Sequence, residues 1–162
     1  MQPDTFQIST PGTADDLKAV RCLFEEYASS LKVDLCFQNF SEELSSLPGD
    51  YAPPRGALLT VSLDGNLAGC CALRPLDTTD YPNACEMKRL YVRNAFRGYG
   101  LGRLLTEAIL EAARQANYNC VLLDTLTEME SARSLYEDLG FVEVPPYYFN
   151  PIEGAHYLMV KL

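Results

Sequence analysis

Apolar residues recur along this chain with two different periods, and the order in which those periods alternate predicts the elements. "TFQIS" near the start alternates in steps of two and predicts a first short strand. The stretch 13–31, "TADDLKAVRCLFEEYASSL", places Leu17, Val20, Leu23, Phe24, Tyr27 and Leu31 at helical spacing behind Thr13, a residue suited to capping. A shorter helix at "SEELSSL" ends at Pro48-Gly49, and "PGDYAPPRG" reads as a loop. In "ALLTVSLDGNLAGCCALRPL" two apolar runs flank Asp64-Gly65-Asn66, which predicts a hairpin. A loop rich in Thr, Asp and Pro leads to a further strand at "CEMKRLYV".

Beyond it, "GLGRLLTEAILEAARQA" carries Leu101, Leu104, Leu105, Ala108, Ile109 and Ala112 on one helical stripe. "CVLLDT" is a continuous apolar run, the pattern of a strand covered on both faces. Strand, helix and buried strand in that order predict a parallel crossover between the fourth and fifth strands through the third helix. Thr127 and Glu130 have the spacing of a capping box for a helix at "SARSLYEDL", which Gly140 ends. "FVEV" and "HYLMVKL" are expected to be final strands around the loop "PPYYFNPIEGA". The expected class is mixed α/β, one domain over residues 1–162, with no repeat, linker or low-complexity segment.

Composition leaves this picture intact: 48% of residues are apolar and 22% charged, as in ordinary globular chains. The first ten residues have neither a basic start nor an apolar core of a signal peptide, and no apolar run is long enough to span a bilayer, so a cytoplasmic location is expected. The six cysteines (Cys22, Cys36, Cys70, Cys71, Cys85 and Cys120) include no C-x-x-C pair and read as buried, reduced thiols. With His156 as the single histidine, no metal is expected.

Charge does change the picture. The net charge of −9 argues against nucleic acid as a partner. Yet from Met87 to Thr106 there are five basic residues (Lys88, Arg89, Arg93, Arg97 and Arg103) and no acidic one. This inversion coincides with "AFRGYGLGRLL", three glycines within five positions at the start of a predicted helix, and points to an anionic ligand. Amides of a helix's first turn lack intrahelical partners and carry partial positive charge, and glycine lets a phosphate approach them. No Lys-Ser or Lys-Thr follows, which excludes a Walker A loop, and Arg103 stands where a dinucleotide fingerprint starting at Gly98 needs its third glycine.

What remains is R-x-x-G-x-G, Arg97 to Gly102, between a strand and a helix. The sequence resembles the GNAT acetyltransferase superfamily here: "RLYV" with "RGYGLG" matches its central strand and loop, and "SARSLYEDLGF" its later A-x-x-L-Y-x-x-x-G-F segment. The likeness covers roughly residues 56 to 145. It implies the family's fold, a mostly antiparallel central sheet with one parallel crossover, flanked by helices. It implies acetyl-CoA as cosubstrate, without a metal, its pantetheine arm held by the main chain of Leu90, Tyr91 and Val92. The pyrophosphate would lie on Arg97, Gly98, Tyr99, Gly100, Leu101 and Gly102, with Arg103 close behind. Glu86 matches the position of a glutamate base in histone-type relatives, with an ion pair to Lys88 as its other reading. Tyr136 matches the tyrosine that assists the departing thiolate, with a core place on the apolar stripe of Ala132, Leu135 and Leu139 as its other reading. Met129 departs from the pattern, standing where many relatives have an asparagine that contacts the pantetheine arm.

The implied reaction is direct transfer of an acetyl group to a primary amine of a small molecule or peptide, a main-chain N–H steadying the oxyanion. A thioester on Cys85 or Cys120 would lack a histidine partner near the motif. Phe24, Tyr27, Phe37, Phe40, Tyr147, Tyr148 and Phe149 lie where relatives shape the acceptor pocket. Outside the basic segment there are 22 acidic against eight basic residues, so a cationic amine is expected to be attracted. No nucleic-acid or membrane partner is expected, and a homodimer is a compatible assembly. Two other classes share the loop: a non-catalytic acyl-CoA-binding module of the same fold, and a protein that uses the glycines for ATP or NAD.

Overall fold

In the computed structural model, which describes residues 5–31, 34–35, 38–127 and 129–162, the two periods resolve into a layered α/β fold. The elements follow the order β1 (Phe6–Ser9), α1 (Ala14–Leu31), α2 (Phe40–Ser46), β2 (Ala57–Leu63), β3 (Asn66–Leu76), β4 (Ala84–Val92), α3 (Leu101–Gln115), β5 (Cys120–Leu126), α4 (Glu130–Asp138), β6 (Val142–Val144) and β7 (Ala155–Lys161). Among the described residues the strands form one sheet in the order β1-β2-β3-β4-β5-β7-β6. Only β4 and β5 run parallel, as the crossover pattern predicts.

Local chemistry sets the element ends. Thr13 Oγ1 accepts a hydrogen bond from the Asp16 amide at 3.0 Å, and Asp16 Oδ2 accepts one from the Thr13 amide at 3.2 Å, a reciprocal cap for α1. The β2–β3 hairpin turns at Asp64 and Gly65, both with positive φ (51° and 82°), the geometry that suits the strands' twist. Gly140, at φ 93°, ends α4 as expected. The predicted capping box at Thr127 does not form. The helix begins at Glu130 with Met129 in the capping position, two residues too late for Thr127. The Thr127 hydroxyl instead donates to the Gly154 carbonyl at 3.0 Å and lies 2.8 Å from His156 Nε2, tying the strand end to β7.

Alternation along the strands divides the core between the two faces of the sheet. Cys71, Leu73, Cys85 and Met87 pack with α3 and α4, while Cys70 and Ala72 pack with Val20, Leu23 and Phe24 of α1. The buried stripe of α3 is rotated from the expected one. Leu101, Leu105 and Ile109 are joined by Thr106, Leu110 and Ala113, whereas Leu104, Ala108 and Ala112 are half-buried. β5 is covered on both faces, as its apolar run predicts. Of the cysteines, Cys70, Cys71, Cys85 and Cys120 are buried free thiols; Cys22 is exposed, contrary to expectation, and Cys36 lies outside the described residues.

No helix among the described residues is long and apolar enough to cross a membrane. Nor does any group of three or more His, Cys, Asp or Glu there have the arrangement to hold a metal ion.

Candidate active site

The site originates in a break in the sheet. β4 and β5 pair only at Ala84–Glu86 against Cys120–Leu122, then part, although both strands continue. Main-chain groups beyond that point have lost their neighbour. A narrow cavity of about 110 Å³ fills the gap, lined by Met87 to Leu90 of β4, Leu123 to Thr125 of β5, Met129 just before α4, and Ala132 and Tyr136 of α4. Met129 and Ala132 also border a wider cleft of about 690 Å³, bounded by Tyr91, Asn94, Arg97 and Leu126 as well, a size typical of small-molecule sites.

A bulge in β4 decides which side chains face the gap. Two steps along β3, from Cys70 to Ala72, match three along β4, from Tyr91 to Lys88, and Arg89 takes a left-handed backbone conformation at φ 62°. The bulge shifts the alternation by one. Leu90 and Val92 therefore join Met87's neighbours against the α3 face, while Lys88 and Arg89 are both buried and Tyr91 packs toward α1. The sequence carried a signal for it: the apolar positions Met87, Leu90 and Val92 skip one step at the two consecutive basic residues.

At the glycine turn, Gly98 and Gly100 have φ of 90° and 76°, values that non-glycine residues adopt at a cost, and a Cβ on either would meet nothing within 4 Å. α3 starts at Leu101 with no side-chain cap, so its first-turn amides have no side-chain hydrogen-bond partner there. The basic segment does not ring these glycines as its clustering in sequence implies. Lys88 and Arg89 are buried away from them; Arg93 is paired with Glu26 at 2.8 Å, and Arg103 with Asp138 at 2.7 Å. Arg97 differs: its Nε donates to the Val92 carbonyl at 3.1 Å and it has no carboxylate partner among the described residues. Tyr99 is exposed and touches Phe6 edge-on.

Tyr136 is buried on the wall of the narrow cavity and packs against Phe141. Its hydroxyl has no hydrogen-bond partner among the described residues, and burial pushes its pKa well up, so it stays a neutral donor at physiological pH. Met129 Sδ accepts from Thr125 Oγ1 at 3.5 Å. Cys85 and Cys120 are buried, and burial raises both thiol pKa values, which works against a thiolate nucleophile.

On the opposite side of the gap stands a set of charged pairs. Glu86 is 1% exposed; its Oε1 accepts from Arg74 Nε at 2.9 Å and its Oε2 from the Tyr147 hydroxyl at 2.6 Å. Lys88 Nζ lies 3.9 Å from Oε1. Burial pushes the Glu86 carboxyl up, but the charges of Lys88 and Arg74 and the donors on it overcome burial and hold it below the ordinary range. Arg89 grips both carboxylate oxygens of Glu43 at 2.8 Å and donates to Gln38, anchoring α2 to the bulge. Asp124 accepts from the Tyr148 hydroxyl at 2.6 Å and Asn150 Nδ2 at 3.2 Å.

Of the aromatics expected here, Tyr27, Tyr147 and Tyr148 line the cavities, Phe40 covers Arg89, Phe24 is core and Phe149 is exposed. Phe37 lies outside the described residues. Sequence reasoning missed Arg74, Asp124 and Glu43, because each acts through a partner distant in the chain, and it missed the cavity role of Lys88 because the parting of β4 and β5 leaves no mark in local spacing.

A sequence model of the acetyltransferase (GNAT) family matches residues 18–141. An uncharacterized N-acetyltransferase of Schizosaccharomyces pombe is 37% identical over the whole of this chain and 98% of its own length. The N-acetylaspartate synthetase of Rattus norvegicus is 34% identical over 118 residues, 71% of this chain and 38% of that protein. Among solved structures, yncA of Salmonella typhimurium, determined with its cofactor acetyl-CoA, shares the fold at a TM-score of 0.69 and 17% identity, over 96% of this chain and 93% of that one. With the parted strands, the uncapped glycine turn and these matches together, the chain belongs to the GNAT acetyltransferase family and is an acyltransferase of the N-acetyltransferase kind.

Proposed function

We propose that the protein transfers an acetyl group from acetyl-CoA to the primary amine of a small molecule or peptide by direct attack. The observation that carries this reading is the parting of β4 and β5 beside Tyr136, in line with the uncapped start of α3. The family and the acetyl-CoA bound by the Salmonella protein of like fold support the donor. Amides from Gly98 to Arg103, with Arg97, would hold the diphosphate, and the main chain of Leu90, Tyr91 and Val92 the pantetheine arm as an added strand.

The chain's own groups then divide the work. A main-chain N–H at the β4 bulge steadies the oxyanion as the nitrogen–carbon bond forms. As the carbon–sulfur bond breaks, Tyr136 gives its proton to the departing sulfur. Glu86 is the proposed acceptor of the amine's proton; because Arg74 and Tyr147 occupy its oxygens, that proton arrives through a relay.

Isothermal titration with CoA, followed by a thiol-release assay with acetyl-CoA across an amine panel, tests the reading. Binding and amine-dependent thiol release are expected. Binding of ATP or NAD in preference to CoA, or no thiol release with any amine, would overturn it.

A further inference from the structure

Two charged groups in the parted region are incompletely satisfied by the described residues. Lys88 lines both the narrow cavity beside Tyr136 and a second cavity walled by Arg74, Glu86, Tyr147 and Tyr148. Its side chain is only 4% exposed, yet its ammonium makes no hydrogen bond to any described residue. Its nearest carboxylate oxygen, Glu86 Oε1, is 3.9 Å away and already bonded to Arg74. Arg89, its neighbour in sequence, is the contrast, closed off by Glu43 and Gln38. A buried ammonium without hydrogen bonds is costly to maintain unless something anionic joins it. Burial does lower the Lys88 pKa, in spite of Glu86 and Asp124.

Asp124 is the other half. It lines the narrow cavity together with Lys88, is bonded by the neutral donors Tyr148 and Asn150, and has no ion-paired cation among the described residues. The cavity that would receive the attacking amine thus presents an unpaired carboxylate near Tyr136, and an ammonium without hydrogen bonds on the side toward Arg74. That is the charge complement of a zwitterion. A diamine would set its second cation against Lys88 and Arg74.

We infer that the acceptor is a free amino acid, its amine drawn to Asp124 and its carboxylate bound by Lys88 with Arg74. This rests on the acetyltransferase reading above and narrows its substrate. It also narrows the expectation, drawn from overall charge, that a cationic amine is attracted: the cavity wall selects among such amines.

The test compares kcat/KM for acetyl transfer to a panel of amino acids, acidic, aliphatic and aromatic, with that for their carboxamides and for spermidine. The expected result is at least one amino acid preferred over its carboxamide by about 100-fold or more, since a site built for a polar group rejects an analogue lacking it. Lys88→Met should raise KM for that amino acid and remove the preference without changing the dissociation constant of acetyl-CoA. The wild-type comparison decides the matter even if the variant does not fold. Carboxamides or spermidine used as well as every amino acid would overturn the inference, as would CoA binding with no amino acid acetylated. Failure to bind CoA would remove the acetyltransferase reading and this inference with it.

Discussion

The end of the cleft we assign to the coenzyme and the end we assign to the acceptor are built on opposite plans. From Gly98 to Gly102 the site consists of main chain, with positive-φ glycines, an uncapped helix start and little else. Around Glu86 it consists of side chains: Arg74, Lys88, Arg89, Glu43, Asp124 and Tyr147, drawn from β3, β4, α2, β5 and the loop before β7. Main-chain recognition is local and forces particular residues at particular spacings. Side-chain recognition is assembled from a distance and leaves each residue type replaceable. The first end is therefore suited to a ligand recognised through main chain alone, and the second to one recognised by its charges.

The sharpest way to break this comparison is to remove a member of the acceptor end. Glu43→Ala leaves the buried Arg89 guanidinium without its carboxylate and should cost about 3–5 kcal/mol in urea unfolding. A loss below about 1 kcal/mol would show that Arg89 does not hold α2 to the bulge. Next in size, Tyr136→Phe should lower turnover by about 100-fold, within the usual range for a proton donor, and leave CoA affinity unchanged in calorimetry. An unchanged rate would take Tyr136 out of the reaction and return it to the core packing it shares with Phe141.

At the coenzyme end the effect is smaller and of a different kind. Gly100→Ala meets no neighbour, so it should cost only the strain of φ 76°, about 1–2 kcal/mol, and weaken CoA binding more than acceptor KM. An acceptor-selective defect would contradict the division between the two ends.

The mildest test is a slope. The Glu86 pKa is lowered in the folded state. Its contribution to stability is therefore full above the ordinary glutamate value of 4.5 and is lost as pH falls through the folded value. The stability gap between wild type and Glu86→Gln should be constant above that pH and shrink below it; a gap that widens on acidification would reverse the assigned sign.

Much of the fold was readable because it is local. The hairpin turn at Asp64-Gly65, the cap at Thr13 and the apolar run of β5 each follow from a few adjacent residues. The failures share a cause as well. Thr127 and Glu130 have the spacing of a capping box, but the contact of Thr127 with Gly154 and His156 took the hydroxyl elsewhere. Five basic residues within twenty look like one patch, but a helix, a strand bulge and a turn send them to different partners.

By itself, the sequence determined the order of elements, the parallel crossover and the glycine turn, since period, turn chemistry and left-handed backbone are properties of neighbouring residues. Only the tertiary structure decided where β4 and β5 separate, that the bulge at Arg89 turns two successive basic side chains inward, and that Lys88 and Asp124 meet across one cavity. Those facts depend on which distant groups compensate a buried charge. No spacing along the chain encodes that, because the energy of an ion pair depends on distance and burial in space.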